Sequence, residues 1–389
     1  MSTTPMKIAI SGVGCVGGFG CGHADFGAAL QQGYANAQEE DKAHPTSADG
    51  GGGGAAFLPA LLANTERLTD FVARRELRRI DHYARMALLG GYLAMDDAGG
   101  PPATGERLGV IVASGYGATT TTFNFLDSVI ENGDSYASPT NFSNSVHNVA
   151  AAYLSIQLQA LGPSLTVSQF ELSMCSALHS AVCWLEQGRV DKVLIGGVDE
   201  RNAVLNDYCW QRSLARDAAM SRISHMAPFD FSQPSAIAGE GAAFLLLSKD
   251  DDNTPYGYIT GLDSGRREHL QLGVDAAGDG KNCDLLVLGA DGQLATAGFY
   301  AQLVEAQSTG PALACPIVSC APCYGSLPIG QAFDLIAAAL MLRDQRAYGV
   351  PALANQGVYS TIDNITAVKL AADGQFGQVT LSSQAGADA

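Results

Sequence analysis

The chain has 389 residues, of which 47 % are apolar and only 16 % charged, and 39 acidic against 22 basic residues give a formal charge of −17. Such a length calls for two or three domains or one large fused α/β body, and a charged share this far below the usual ~25 % implies a large interior and a sizeable subunit interface. No basic stripe is present to meet phosphates, which excludes nucleic acid, and no apolar run reaches the ~20 residues of a membrane span.

The first element is "KIAISGVGCVG", a core strand running into a glycine-rich turn, and "GHADFGAALQQG" is a short helix closed by Gly33. The chain start has no basic segment followed by a cleavage site, so this strand is not read as a leader. Gly12, Gly14 and Gly17 spell G-x-G-x-x-G, but Gly18, Phe19 and Gly20 follow where a helix should begin. No acidic residue closes a second strand about 20 residues on, so dinucleotide binding is rejected, and a Walker lysine is missing as well. The polar tract over about 40–56 ends in Gly50 to Gly54 and reads as a flexible surface loop.

The segment 65–99 reads as helical, with Thr65 or Thr69 as a cap and Leu77, Ile80, Tyr83 and Leu88 keeping the helical period. "RLGVIVASGYG" is a buried strand and "TTTFNFLDSVIENG" a helix. "SPTNFSNSVHNVAAAYLSIQLQALG" reads as a loop and then a long helix, with Ala150, Ala151, Ala152 and Ser155 allowing close packing. His147 and His179 read as packed helical residues. The stretch from Gly162 to Glu200 reads as a strand, a sharp turn, a buried helix and a strand ending in Gly196 and Gly197. This layout puts a nucleophile at the turn, and the residue there is Glu171. Cys175, one helical turn on in "LSMCSALHS", reads as a core thiol, although a slipped register would promote it.

"GEGAAFLLLSKD" is a strand in which Glu240 makes a buried hydrogen bond or ion pair, and Asp230 fixes a loop by accepting N–H groups. Arg201, Arg212 and Arg222 pair across an interface or face water. The second half repeats the alternation: strands in "YGYITGLDSG", "CDLLVLGADG" and "ACPIVSCAP", helices in "TAGFYAQLVEAQ" and "GQAFDLIAAALMLRDQ", and a closing pair of strands joined by an Asp-Gly turn. Apolar strands alternating with helices require mostly parallel sheets buried on both faces. The pattern suggests an internal duplication, with residues 1–250 and 251–389 as its halves. The nine cysteines read as reduced, buried thiols of a cytoplasmic protein. Cys320 and Cys323 have CxxC spacing without a second pair, so neither metal nor cofactor is expected.

Taken together, "ISGVGCVGGFGCG", "VASGYGATTTTF", "NFSNSVHNVAAAYLSIQLQALGPSLTV", "QGRVDKVLIGGVDE" and "PFDFSQPSAIAGEGAAFLLLSKD" resemble the β-ketoacyl-ACP synthase branch of the thiolase-fold superfamily over nearly the whole chain. The resemblance implies a layered αβαβα fold with two pseudo-duplicated halves. Active members use Cys-His-His, the cysteine to carry the acyl chain and the histidines to assist decarboxylation and stabilise negative charge. Counted from both flanks, the cysteine slot falls on Glu171. The first histidine slot falls on Asp291 and the second, with spacing off by one, on about Ser326. The lysine that usually precedes the second histidine is also missing, and Phe376-Gly377 is a thin remnant of the family's phenylalanine gate.

Within the family this loss resembles the chain-length-factor subunits of type II polyketide and aryl polyene systems. The resemblance then implies a heterodimer with an active ketosynthase that shapes a tunnel for the growing acyl or polyketide chain, and an acyl carrier protein docking mainly through the partner. Phe142, Val146, Val149, Tyr153 and Ile156 are candidates for the interface or for the subunit's own core, and Phe123 and Phe125 for the tunnel end. Two alternatives remain: a decarboxylating malonyl-ACP priming subunit using Glu171, or a homodimeric acyltransferase using Cys175.

Overall fold

The computed structural model describes residues 6–39, 59–100, 105–202, 204–205, 225–249, 251, 254–270, 283–309, 315–353 and 361–383. The glycine run and Arg212 and Arg222 lie outside these residues. The strands of the main sheet belong to two sets. In chain order the first half supplies β1 (Ile8–Gly17), β2 (Gly20–Cys21), β5 (Leu108–Ala113), β6 (Ser164–Val167), β7 (Lys192–Asp199) and β9 (Gly241–Ser248). The second supplies β10 (Tyr258–Arg266), β11 (Leu285–Leu288), β12 (Ile317–Ser319), β13 (Val350–Pro351), β14 (Asn364–Leu370) and β15 (Gln375–Ser382). A small second sheet joins β3 (Gln38–Glu39), β4 (Pro59–Leu61) and β8 (Ala238–Gly239).

The duplication is visible in the strand order. One half runs β1-β9-β7-β5-β6 and the other β10-β15-β14-β11-β12, and the two join through a short antiparallel pairing of β1 with β10. In each half the first and last strands pair antiparallel, the last pairs antiparallel with the fourth, and the remaining neighbours are parallel. Each half therefore repeats one five-strand design. The expectation of mostly parallel sheets is corrected to a mixed sheet, in which β9 and β15 run antiparallel to both neighbours. The strand β6 ends the sheet on one side, with no neighbour beyond it among the described residues.

The helices are α1 (His23–Gln32), α2 (His82–Asp97), α3 (Thr119–Asn132), α4 (Pro139–Asn144), α5 (Val149–Gln157), α6 (Ser173–Glu186), α7 (Leu294–Thr309), α8 (Ala321–Tyr324) and α9 (Gly330–Asp344). Helix α6 touches β5, β6 and β7 of one half and β10 and β15 of the other, and α9 likewise touches β7, β9, β14 and β15. These two form the central layer between the half-sheets. Helices α2 and α5 cover the outer face of the first half and α7 packs on β14 in the second. The result is the five-layered αβαβα arrangement. A buried central layer demands helices that are apolar all round. Every residue of α9 from Gly330 to Leu342 is buried, including Gln331 and Asp334.

Several local expectations are corrected. Residues 65–99 form one helix only from His82; two 3-10 turns precede it, and Ile80 at φ −95°, ψ 124° breaks the run. The cap is Asp81, which accepts the Ala84 N–H at 2.9 Å, not Thr65 or Thr69. Segment 138–162 holds two short helices, α4 and α5, and His147 lies in the exposed turn between them. His179 is on α6 but exposed. Cys183 is exposed and Cys21, Cys283 and Cys315 are partly so, which departs from a uniformly buried set. The glycines of the G-x-G-x-x-G stretch serve packing: a Cβ on Gly14 would lie 2.3 Å from the Gly90 carbonyl oxygen, so α2 approaches β1 only because that atom is missing. Among the described residues no helix is long and apolar enough to cross a membrane.

Candidate functional site

The strands β11, β12 and β14 run parallel, so their C-terminal ends open on the same edge, the usual place for a site in an open α/β sheet. Asp291 follows β11, Ser326 follows β12 and α8, and Lys369 occupies the last turn of β14. From the other half, β6 leads into a 3-10 turn, Phe170–Leu172, that carries Glu171 and enters α6. This turn packs on β14 and β15. Phe170 adopts φ 45°, a left-handed conformation that side chains rarely take. Buried Ser173 ties the turn: the Gln169 N–H donates to its hydroxyl oxygen at 2.8 Å, and its hydroxyl reaches the carbonyl oxygens of Phe170 at 2.7 Å and Ser114 at 3.0 Å.

The structure brings Asp291 and Ser326 into direct contact. The Ser326 hydroxyl donates to Asp291 Oδ2 at 3.0 Å, and the Gln293 side-chain amide reaches Asp291 Oδ2 at 3.3 Å and Ser326 Oγ at 2.7 Å. The Gln293 N–H approaches Asp291 Oδ1 at 3.4 Å. Lys369 completes the set, donating from Nζ to Asp291 Oδ2 at 3.3 Å and to the Gly289 carbonyl oxygen at 3.0 Å. Both side chains of this ion pair are almost fully enclosed, 3 % exposed for Lys369 and 4 % for Asp291.

Burial alone pulls the Lys369 ammonium down, but Asp291, Tyr300, Asp334 and Glu171 together outweigh it and hold Lys369 above the ordinary lysine value. The charge of Glu171 is thus felt at the ion pair, although Glu171 is only partly buried, not enclosed as a glutamate at a buried helix start would be. Asp334 on α9 is enclosed, accepts the Tyr324 hydroxyl at 2.8 Å and is pushed up to about 7, chiefly by burial, with Lys369 opposing. Beside Asp291 a small cleft opens, about 210 Å³ including its mouth, bounded on the far side by Pro228, Asp230, Phe231 and Gln233. Asp230 accepts from Ser232 and Gln233 and fixes that loop, as expected.

Lys369 is the residue that the sequence reading missed. The lysine expected ahead of Ser326 is absent, and an ammonium enters the site from another strand. The available signal was one cation in the strand "NITAVKL", whose other residues are uncharged. Chemically, the cluster satisfies itself. Asp291 accepts from three side chains, and no histidine takes part in its contacts among the described residues. Among the described residues no cluster of three or more His, Cys, Asp or Glu could hold a metal ion.

Cys175 lies elsewhere. Its thiol is buried and faces the Asp263 carbonyl oxygen at 3.5 Å, and burial pushes it up to about 12. A Cβ on Gly377 would sit 2.7 Å from the Cys175 Cβ, so the missing side chain at Gly377 leaves room for Cys175. Phe376 is buried in the cluster around Tyr300, not at a pocket mouth. Glu240 is enclosed and accepts from Ala63 N–H, Arg201 N–H and His82, the buried hydrogen-bonded role expected of it.

The interface candidates divide. Val149 is part of the subunit's own core, and Tyr153 donates to Asn144 at 3.1 Å within the subunit. Phe142, Val146 and Ile156 are exposed. Phe123 and Phe125 are half-buried, and the Phe125 ring leans on Phe142 at 5.4 Å between centroids. Helix α3 buries only Thr121 and leaves Leu126 and Ile130 exposed, and Tyr116, just before it in sequence, meets Phe170 edge-to-face at 5.9 Å.

Two half-sheets of matching strand order around a central helical pair, with a turn-borne residue at the entrance of one central helix, define a thiolase-like fold. Residues 6–253 match the family described as β-ketoacyl synthase, N-terminal domain, and the chain belongs to that family. A putative polyketide β-ketoacyl synthase 1 of Streptomyces virginiae is 27 % identical over 292 residues, 71 % of this chain and 63 % of that protein. The 3-oxoacyl-[acyl-carrier-protein] synthase 2 of Vibrio harveyi is 22 % identical over 186 residues, 46 % of this chain and 44 % of that protein. The matches thus span less than two thirds of these relatives' length. Among solved structures, a type II polyketide synthase acyl-carrier protein in complex with its ketosynthase bound to the hexaketide superposes with TM-score 0.75 at 15 % identity, covering 98 % of this chain and 100 % of that one. The ishigamide ketosynthase/chain length factor gives TM-score 0.68 at 19 % identity, covering 98 % and 100 %. At these identities the structural matches establish the fold.

Proposed function

We propose that this chain is a chain-length-factor-like subunit, which pairs with an active ketosynthase and shapes the acyl or polyketide tunnel at their shared interface. The observation that carries the reading is the closed network of Asp291, Ser326, Gln293 and Lys369, in which the two histidine slots hold an acceptor already filled and a short hydroxyl. An oxyanion needs donors aimed at empty space, and here the donors are spent on Asp291. Glu171 in the nucleophile slot is a poor acyl acceptor, because a thioester would have to become a mixed anhydride.

A second support is the surface. Exposed Phe142, Val146, Ile156, Leu126 and Ile130 together with β6, which has no further strand beside it among the described residues, offer apolar area and a strand edge, the composition of a permanent subunit contact. Phe123 and Phe125 stand half-buried on the helix that carries Leu126 and Ile130 and suit the tunnel end. In this reading residues 1–250 and 251–389 are the two halves of one body. The acyl carrier protein docks mainly through the partner, and the pair works in the cytoplasm in a discrete-subunit polyketide or aryl polyene pathway. The priming reading through Glu171 and the acyltransferase reading through Cys175 have less support. Lys369 offsets the carboxylates but is enclosed, and the Cys175 thiol is buried and hard to ionise.

The test is co-expression with an active ketosynthase. The expected result is a 1:1 complex that condenses acyl and malonyl groups, while this chain alone does not. Condensation by the isolated chain, or a ketosynthase that remains unpaired and fully active without it, refutes the proposal.

A further inference from the structure

Outside the site, two thiols face each other at the entrance of the second half-sheet. Cys283 stands just before β11 and Cys315 just before β12, their sulfurs 3.3 Å apart. The neighbouring strands run parallel with Leu286 opposite Ile317, so the two cysteines sit at nearly the same height. Adjacent strands lie about 4.8 Å apart, inside the Cα separation of about 4.4–6.8 Å that a disulfide spans. Both residues are partly exposed, Cys283 with the more enclosed sulfur. The Cys315 thiol donates to Cys283, which also accepts help from the backbone around Thr366, so Cys283 ionises more readily than an ordinary cysteine while Cys315 keeps its proton.

We propose that Cys283 and Cys315 form a redox-active pair that closes to a disulfide with a low-molecular-weight disulfide such as oxidised glutathione. The Cys283 thiolate attacks one glutathione sulfur, the glutathione S–S bond breaks, and one glutathione thiolate leaves. The Cys315 thiol, giving up its proton, then attacks Cys283 Sγ, and the second glutathione leaves as thiolate. In sum two protein thiols are oxidised to one disulfide and one oxidised glutathione is reduced to two glutathione thiols. The sulfurs must close from 3.3 Å to about 2.05 Å, a side-chain rotation between neighbouring strands and not a backbone rearrangement. The bond ties the ends of a 32-residue connection that includes Asp291 and α7, so it fastens one wall of the site.

The experiment uses the full chain under native conditions. It is treated with oxidised glutathione, unfolded, alkylated with N-ethylmaleimide and mapped by mass spectrometry. The expected product is a peptide pair linked through Cys283 and Cys315, with no glutathione left on either and with Cys183 carrying glutathione as the exposed control. In Cys315→Ser the mixed disulfide is trapped on Cys283, and in Cys283→Ser the modification of Cys315 is at least fivefold slower. Free alkylation of both cysteines in the treated wild type, while Cys183 is modified, overturns the proposal. So does persistent glutathione on Cys283 of the wild type. Serine is close in size to cysteine, and an unchanged melting temperature of each variant shows that it is folded for this comparison.

Discussion

Replacing Lys369 by methionine tests whether the ion pair holds the site together. The change keeps a long unbranched side chain and removes the charge together with the N–H donors to Asp291 and Gly289. In the native chain Nζ lies 3.3 Å from Asp291 Oδ2 with both side chains enclosed. At an effective dielectric of about 20 that separation is worth about 5 kcal/mol, and breaking a buried pair by deleting one partner costs about 3–5 kcal/mol because the other charge stays buried. Folded domains hold only about 5–15 kcal/mol in total, so Lys369→Met should fold marginally at neutral pH. The double variant Lys369→Met/Asp291→Asn removes the stranded charge and should recover at least half of the loss. Chemical denaturation of both at pH 7.5 is the assay. A single variant within about 1 kcal/mol of wild type, or a double variant no better than the single, refutes the claim that this pair organises the site.

Further outcomes follow from the same geometry. If Asp291 and Ser326 stand in the histidine slots, as proposed, Glu171→Cys should become acylated by a thioester donor yet form no β-ketoacyl product; product from that variant alone counts against the reading of the site. Phe142→Ser and Ile156→Ser should weaken the complex with an active ketosynthase at least tenfold in analytical ultracentrifugation with little change in monomer stability, as exposed anchors do. Val149→Ala should instead cost the subunit about 2 kcal/mol, the loss of two methyl groups and the space they leave in its core. Asp334 gives a pH signature. Its folded carboxyl sits at about 7, above its unfolded value, so the native state binds the extra proton between roughly pH 4 and 7. Stability should fall across that window by up to about 1.4 kcal/mol per pH unit, and Asp334→Asn should flatten the slope in melts between pH 5 and 8.

Much of the architecture was legible because alternating apolar strands and helices in "GAAFLLLS" or "QAFDLIAAALML" have one stable arrangement, buried on both faces. The Glu171, Asp291 and Ser326 slots were assigned from the family resemblance and spacing, and the structure adds that the last two are in contact. What escaped was set by tertiary contact. Lys369 is the one charged residue in β14, and only the pairing of β14 beside β11 turns it toward Asp291. The break before His82 depends on Ile80 being drawn into the outer core, which no local helix period reveals. Val149 and Ile156 belong to the same short helix and the same apolar type, and only their facing assigns one to the interior and the other to the surface.

The open flank of β6 has a consequence for how such a protein is made. A chain released with that strand edge, which has no neighbour beyond it among the described residues, next to a spread of exposed aromatic and branched residues, presents a template to any extended peptide it meets. Its safety in the cell then depends on supply: synthesis in step with whatever covers the edge keeps it dispersed, and overproduction alone drives it into aggregates.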